Sequence, residues 1–291
     1  MLNNTERSFR DKWHKNKGLA FENTLNENSE IFKWIIERNG FNNGNGLRNF
    51  LSKKKNVLDA GCGNGRVTAL LREYSNPEQT AVTGIDLVAA EVARENLSSY
   101  SNVFFHTRNL LDDLTSLGKF DFIYCQEVLH HTGDASKGFA NLVELLDIEG
   151  EIAIYVYKQK APVREFVDDY IREKIKTMPY DEAMEHCRQL TEFGRALNDL
   201  ALTVKVPNVD LLQIPEGEYD LQRLIYHFFT KCFWNNEFSF EDNSVINYDW
   251  YHPQDCSRHT LEEVKGWFAE NDIKVNHEYE DFYGITIKGI L

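Results

Sequence analysis

No stretch of about 18 consecutive apolar residues occurs, so the sequence offers no membrane-spanning helix. It also has no C-x-x-C pair and no Cys/His cluster at zinc-ligand spacing, so no metal site is expected. No Gly-Lys-Ser/Thr follows its glycine-rich stretch, which excludes a nucleoside-triphosphate P-loop. Prolines number only 6, and no Pro/Gly/Ser-rich stretch reads as a linker between independent domains. The five cysteines, at 62, 125, 187, 232 and 256, are odd in number and widely spaced. The opening MLNNTERSFRDKWHKNKG lacks the apolar core of a secretory signal. Together these features predict reduced thiols and a cytoplasmic protein.

Acidic side chains outnumber basic ones by 46 to 32, a net charge of −14 over 291 residues. Such a chain is a poor general binder of polyanions, because nucleic-acid affinity rests on neutralising phosphates. The imbalance is uneven: residues 1–55 carry +5, residues 56–156 carry −9 and residues 157–291 carry −10. A neutral or cationic small ligand is therefore expected ahead of a polyanionic one. Hydrophobic residues at 42% and charged residues at 27% fit a soluble globule of one large or two small domains. Aromatics reach 13% and are densest around 219–251, where they either pack a core or wall a pocket.

The N-terminal part reads as helical. SEIFKWIIERNG puts Ile31, Trp34, Ile35 and Arg38 on one helical face and stops at Asn39-Gly40. Gly40 to Gly46 reads as a loop, and GLRNFLSKKK as a short helix. The middle alternates strand and helix. The strands are 56–60, 81–86, 102–106, 120–125 and 151–157, which predicts βαβ units and a parallel sheet. The rhythm then breaks. PVREFVDDYIREKI has Val163, Phe166, Val167, Tyr170 and Ile171 at helical spacing, and two more helical stretches follow. Residues 235–259 read as an aromatic loop, and Thr260-Leu-Glu-Glu263 as a capping box opening a last helix. Two closing strand-like runs suggest a hairpin around Tyr283-Gly284. The expected organisation is an N-terminal helical flap (1–55), a ligand-binding core (56–157), a helical, aromatic-rich insertion (158–259) and a final helix with strands completing the core (260–291).

The sharpest signal is VLDAGCGNGRVT, Val57 to Thr68. A buried strand ends in Asp59, Gly61, Gly63 and Gly65 alternate, and a helix begins. Glycines there permit positive φ and close approach of the backbone to a ligand, and the helix N-terminus faces what is bound. The dinucleotide fingerprint G-x-G-x-x-G fails, because its third glycine would fall on Arg66. The spacing Asp-x-Gly-x-Gly-x-Gly instead resembles motif I of class I S-adenosylmethionine (SAM) dependent methyltransferases. That resemblance implies an α/β, Rossmann-like sheet, parallel with an antiparallel last strand, and SAM as cofactor. It covers 56–157 and 260–291.

Carried residue by residue, the resemblance places the SAM ribose on Asp86, at the end of the second strand beside Leu87. A carboxylate there can accept two hydroxyls. Asn109-Leu110 stands where the family often has an acidic residue at the adenine amine, and an amide oxygen can still accept from it. Cys125 and Gln126, at the tip of the fourth strand, fall beside the methionine part, with Asp59, Gly61, Cys62, Gly63 and Gly65 forming the turn. The VLHH that follows puts His130 and His131 near the transferred methyl, as candidate catalytic bases or pocket walls.

The acceptor is expected to meet Trp13 of the flap, Tyr157, Arg164 and Tyr226, and the NYDWYHPQDCSRHT segment with Asp249, Tyr251, His252, Arg258 and His259. An aromatic wall with a few polar groups suits a small organic acceptor. The tail is similar to that of bacterial methyltransferases of surface-sugar or natural-product pathways, which implies an oxygen or nitrogen acceptor. Two other readings stay open. Lys53-Lys54-Lys55 in the basic flap allows a tRNA or other RNA substrate. A non-catalytic SAM-binding scaffold would use the same turn without turnover.

Overall fold

The computed structural model describes residues 2–291. Along the chain come α1 (Asn4–Lys15), α2 (Phe21–Leu25), α3 (Glu30–Arg38), α4 (Gly44–Leu51), β1 (Asn56–Ala60), α5 (Arg66–Tyr74), β2 (Ala81–Asp86), α6 (Ala90–Asn96), β3 (Val103–Thr107), β4 (Phe120–Gln126), α7 (Ala135–Val143) and β5 (Leu146–Tyr157). There follow α8 (Pro162–Ile175), α9 (Tyr180–Asp199), β6 (Thr203–Val206), β7 (Gly217–Asp220), α10 (Leu221–Phe228), α11 (Phe240–Tyr251), α12 (Leu261–Glu270), β8 (Lys274–Glu280) and β9 (Gly284–Ile290). Two compact units result. One comprises Trp13–Lys158 and Ser257–Leu291; the other comprises the residues up to Lys12 and Gln159–Cys256.

The first unit is built on a seven-stranded sheet of order β3-β2-β1-β4-β5-β9-β8. Strands β1 to β5 pair in parallel, and β9 runs antiparallel to both β5 and β8. Central strands are sealed on both faces and read as apolar runs; Val57, Leu58, Ile123, Ile152 and Ala153 are fully buried. One face is covered by α7 and α12, with Phe139, Trp267 and Phe268 packed on Ile154, Ile285 and Ile287. The other carries α3, α4 and α5, through Phe32, Ile35, Leu47, Leu51 and Leu70. Strand order turns back between β1 and β4. In an open α/β sheet, the crevice at the carboxyl ends of the strands at that point is where ligands bind.

The second unit is helical, with α9 and α11 packed together and a small antiparallel β6–β7 hairpin. That hairpin was not expected; its strands are only four residues each, alternating exposed and half-buried positions. Residues 235–259 are not a continuous loop, because α11 occupies Phe240–Tyr251. Ser239 caps it, accepting from Asp242 N–H. Inside it, Asn243 and Asn247 turn inward and hold the backbone of Asn235 and Phe233. Asparagine reads as a loop former in isolation, and here its amides are part of the packing.

Candidate functional site

Each glycine of the turn between β1 and α5 has left-handed backbone: φ is 85° at Gly61, 54° at Gly63 and 87° at Gly65. A Cβ on Gly61 would lie 2.2 Å from a Val128 methyl. One on Gly63 would lie 2.8 Å from the Trp13 indole, so that ring packs directly on the turn. The turn is tied to β2. Ile85 C=O accepts from the N–H groups of Gly61 (2.7 Å) and Cys62 (2.9 Å). Asp86 accepts from Gly63 N–H on Oδ2 (3.0 Å), and from Val88 and Ala89 N–H on Oδ1 (2.9 and 2.8 Å). One carboxylate thus orients both the glycine turn and the approach to α6, and remains partly exposed.

Asp59 is buried at the end of β1 and accepts from Thr68 Oγ1 at 2.6 Å, fastening β1 to α5. Burial pushes its carboxyl up to about 7, against the pull of the Thr68 hydrogen bond and of Arg66. Cys62 and Cys125 are buried, and burial raises both thiols well above their ordinary value. They line the turn and the β4 tip as small neutral groups. Gln126 ends β4, and its Oε1 accepts from Tyr124 OH, which in turn accepts from Asn39 Nδ2. Leu87 is exposed and Leu110 buried. Asn109 Oδ1 accepts from Leu111 N–H at 3.0 Å and keeps a second lone pair.

Two further residues join this site without having been singled out in the sequence. Arg66, the first residue of α5, pairs with Glu127 at 3.5 Å and donates to Thr24 Oγ1. Glu127 follows β4 with φ 61°, a left-handed conformation costly for a non-glycine and concentrated at functional sites. Their signal was position: Arg66 directly follows the last glycine of the turn, and Glu127 directly follows β4.

His130 is buried and stacks on Tyr157, with ring centroids 3.6 Å apart. Its Nδ1 accepts from Tyr157 N–H at 3.2 Å, so Nε2 carries the proton in the neutral ring. His131 is the more accessible of the pair, edge-on to His130 at 4.4 Å and to Tyr157 at 5.5 Å. His259 is buried, its Nδ1 on Glu263 and its Nε2 on Ser257, while Arg258 is half-buried.

Of the expected acceptor residues of the helical unit, Arg164 and Tyr251 meet at one buried acid, and Tyr226 joins them through Arg164. Asp168 pairs with Arg164 and accepts from Trp250 Nε1 (2.8 Å), Tyr251 OH (2.8 Å) and Lys231 N–H (3.1 Å). Arg164 also donates to the Tyr226 carbonyl, and its guanidinium lies 4.8 Å from the Tyr226 ring. Asp249 takes Lys12 at 2.6 Å. His252 is held by Ser8, Tyr248 and the Met178 carbonyl. Arg164, Tyr251 and His252 are nearly inaccessible and form part of this unit's own polar core. His227, crowded with Arg164, Arg223 and Lys160, is lowered to about 3, chiefly by burial.

The cradle fits the cofactor its spacing implies. Three positions hold no side chain, and an acidic strand end sits beside them at the switch point of the sheet. Sheet order, glycine turn and Asp86 together define a class I SAM-dependent methyltransferase domain, with SAM as its cofactor. The family model described as a methyltransferase domain matches residues 51–198, and the chain belongs to that family.

Among relatives, an uncharacterized protein of Synechococcus is 35% identical over 116 residues, 38% of this chain and 27% of that protein. The ubiquinone biosynthesis O-methyltransferase of Coxiella burnetii is 27% identical over 103 residues, 34% of this chain and 42% of that protein. The chain thus spans less than half the length of the curated relatives it matches. PKMT2 from Rickettsia typhi, solved in complex with AdoHcy, shares the fold with a TM-score of 0.52 at 17% identity, over 82% of this chain and 49% of that one. Among the described residues no helix is long and apolar enough to cross a membrane, and no three His, Cys, Asp or Glu side chains gather as metal ligands.

Proposed function

We propose that this protein moves the methyl group of SAM by in-line displacement to an oxygen or nitrogen of a small organic acceptor, such as a sugar or natural-product intermediate. The observation that carries the reading is the single unit formed by the left-handed glycine turn and the Asp86 carboxylate, joined through Gly63 N–H. The cofactor supplies a methyl already activated on a sulfonium sulfur. The chain's contribution is position, because holding a nucleophile about 3 Å from the carbon removes most of the entropic cost. Asp86 takes the ribose hydroxyls, with Leu87 beside it. Asn109 and Leu110 border the adenine, and Cys125, Gln126 and the turn from Asp59 to Gly65 flank the methionine part.

Of the two adjacent histidines, His131 takes the acceptor's proton. His130, with Nδ1 on Tyr157 N–H and its ring on Tyr157, holds the pocket wall. Trp13 closes over the turn. The relative from Coxiella burnetii, named an O-methyltransferase, favours oxygen. We place the activity in the cytoplasm, where the five free thiols stay reduced.

Calorimetry tests the reading. The wild type is expected to bind S-adenosylhomocysteine in the micromolar range. Asp86→Ala should weaken binding about 10- to 100-fold, the worth of hydrogen bonds to a charged acceptor, and Gly63→Val should abolish it. Folded protein that ignores the ligand would end the proposal. Label transfer from SAM to small phenols, acids and amines, but not to RNA, separates small-molecule transfer from RNA methylation and from a scaffold without turnover.

A further inference from the structure

The segment Ser257–Glu263 places three side chains in a line. Ser257 Oγ lies 2.8 Å from His259 Nε2, and His259 Nδ1 lies 2.8 Å from Glu263 Oε1. Glu263 as a carboxylate can only accept, so Nδ1 carries the proton and Nε2 presents its lone pair to the serine hydroxyl, which is nearer to it than to the His130 carbonyl, its other acceptor at 3.3 Å. That is the order of groups that activates a serine: nucleophile, base, and an acid orienting the base.

The backbone enforces the arrangement. Ser257 N–H donates to the His130 carbonyl at 2.8 Å, and His259 N–H to the Tyr157 carbonyl at 2.9 Å, so the segment is anchored to the turn that follows β4 and to the end of β5. Two alternate residues of an extended segment project to one side. His259 and Glu263 are then brought together by the first turn of α12, four residues apart. His259 is itself buried, its ring edge-on to Trp267 at 4.8 Å, whereas Ser257 is exposed.

Helix capping alone does not account for this. In a capping box the third helical residue reaches back to the N-cap N–H. Thr260 already caps α12 by accepting from Glu263 N–H at 3.2 Å, but the Glu263 carboxylate turns to His259 instead. Among the described residues the N–H groups of Leu261 and Glu262, next in the chain, meet no acceptor, as at any helix start, and a helix N-terminus favours developing negative charge.

We propose that Ser257, His259 and Glu263 form a second reactive site, adjoining the His130–Tyr157 wall, at which Ser257 takes the acyl group of a small carboxylic ester. Ser257 Oγ bonds to the ester carbonyl carbon as the carbon–alkoxy bond breaks. The hydroxyl proton passes to His259 Nε2 and on to the leaving alkoxide, releasing the alcohol. Water then attacks the acyl-serine, gives its proton through the same nitrogen to Ser257 Oγ, and releases the carboxylic acid.

An alkyl fluorophosphonate probe tests this on the full chain. Its phosphorus bonds to Oγ while fluoride leaves with the serine proton. Peptide mass spectrometry is expected to find the adduct on Ser257, at least about 100-fold faster than on the exposed Ser99 and Ser101, the scale of general-base assistance. Ser257→Ala should remove that adduct while leaving S-adenosylhomocysteine binding intact, and His259→Gln should slow labelling about 100-fold. Labelling of Ser257 no faster than of Ser99 and Ser101 overturns the proposal. So does a rate indifferent to His259 in a variant that still binds S-adenosylhomocysteine. The serine comparison needs no variant, so a His259→Gln protein that fails to fold leaves the test decisive.

Discussion

At the scale of single residues, Gly61 is where conformation and space coincide. Its φ of 85° costs an L-residue about 1–2 kcal/mol. A Cβ there would also meet Val128 at 2.2 Å, an overpacking of about 1–3 kcal/mol. Gly61→Ala is therefore expected to lower stability by about 2–5 kcal/mol in chemical denaturation. The two costs separate in a double-mutant cycle. Val128→Ala removes the clash but leaves the left-handed backbone, so in that background Gly61→Ala should cost only about 1–2 kcal/mol. Equal costs in both backgrounds would show that the steric part is relieved elsewhere. The same reasoning explains why Asp-x-Gly-x-Gly-x-Gly could be read from the sequence. A left-handed turn against a neighbouring side chain leaves glycine almost no substitute, and the requirement is written in the residue type.

At the scale of elements, α8 shows what periodicity conveys and what it hides. Its apolar residues at helical spacing suggested a buried face with Phe166 and Tyr170. Both are exposed, and Arg164, Asp168 and Arg172 are buried in their place. The helix was foreseen; its facing was not, because facing is decided by partners far along the chain. Trp250, Tyr251 and Lys231 all donate to Asp168, and Arg164 completes the pair. Strands β1 and β4 and the second half of β5 suffered no such ambiguity, since a strand sealed on both faces reads as a nearly continuous apolar run. The β6–β7 hairpin was missed for the opposite reason: its strands are four residues each, and a half-buried alternation that short does not stand out in the sequence.

The facing of α8 gives two contrasting expectations. Asp168→Ala strands the buried Arg164 charge and three donors, and should cost about 3–5 kcal/mol or prevent folding. Phe166→Ala, on the exposed face, should change stability by less than about 0.5 kcal/mol. Comparable losses in thermal and chemical melts would mean that α8 buries its apolar face after all.

At the scale of the whole molecule, net charge says little about how stability varies with pH, because buried groups such as Asp59 and His227 are displaced in opposite directions. Asp59 titrates near 7 in the fold against 3.8 in an unperturbed carboxyl. Between those values the fold keeps a proton that the unfolded chain has lost, so stability falls as pH rises from about 4 to 7. His227 titrates near 3 against 6.5. Between those values the unfolded chain binds a proton the fold refuses, so stability rises with pH over nearly the same window. Each displacement is worth up to about 4 kcal/mol across its window. In the wild type the two slopes oppose, and removing either exposes the other. Asp59→Asn keeps an acceptor for Thr68 and should make stability climb more steeply from pH 4 to 6.5. His227→Gln should make it fall from pH 4 to 7. Every other titrating group is common to the three proteins, so differences between their stability–pH curves isolate these two. Urea denaturation at half-unit intervals measures them, and curves that stay parallel would show that neither group is held away from its ordinary value.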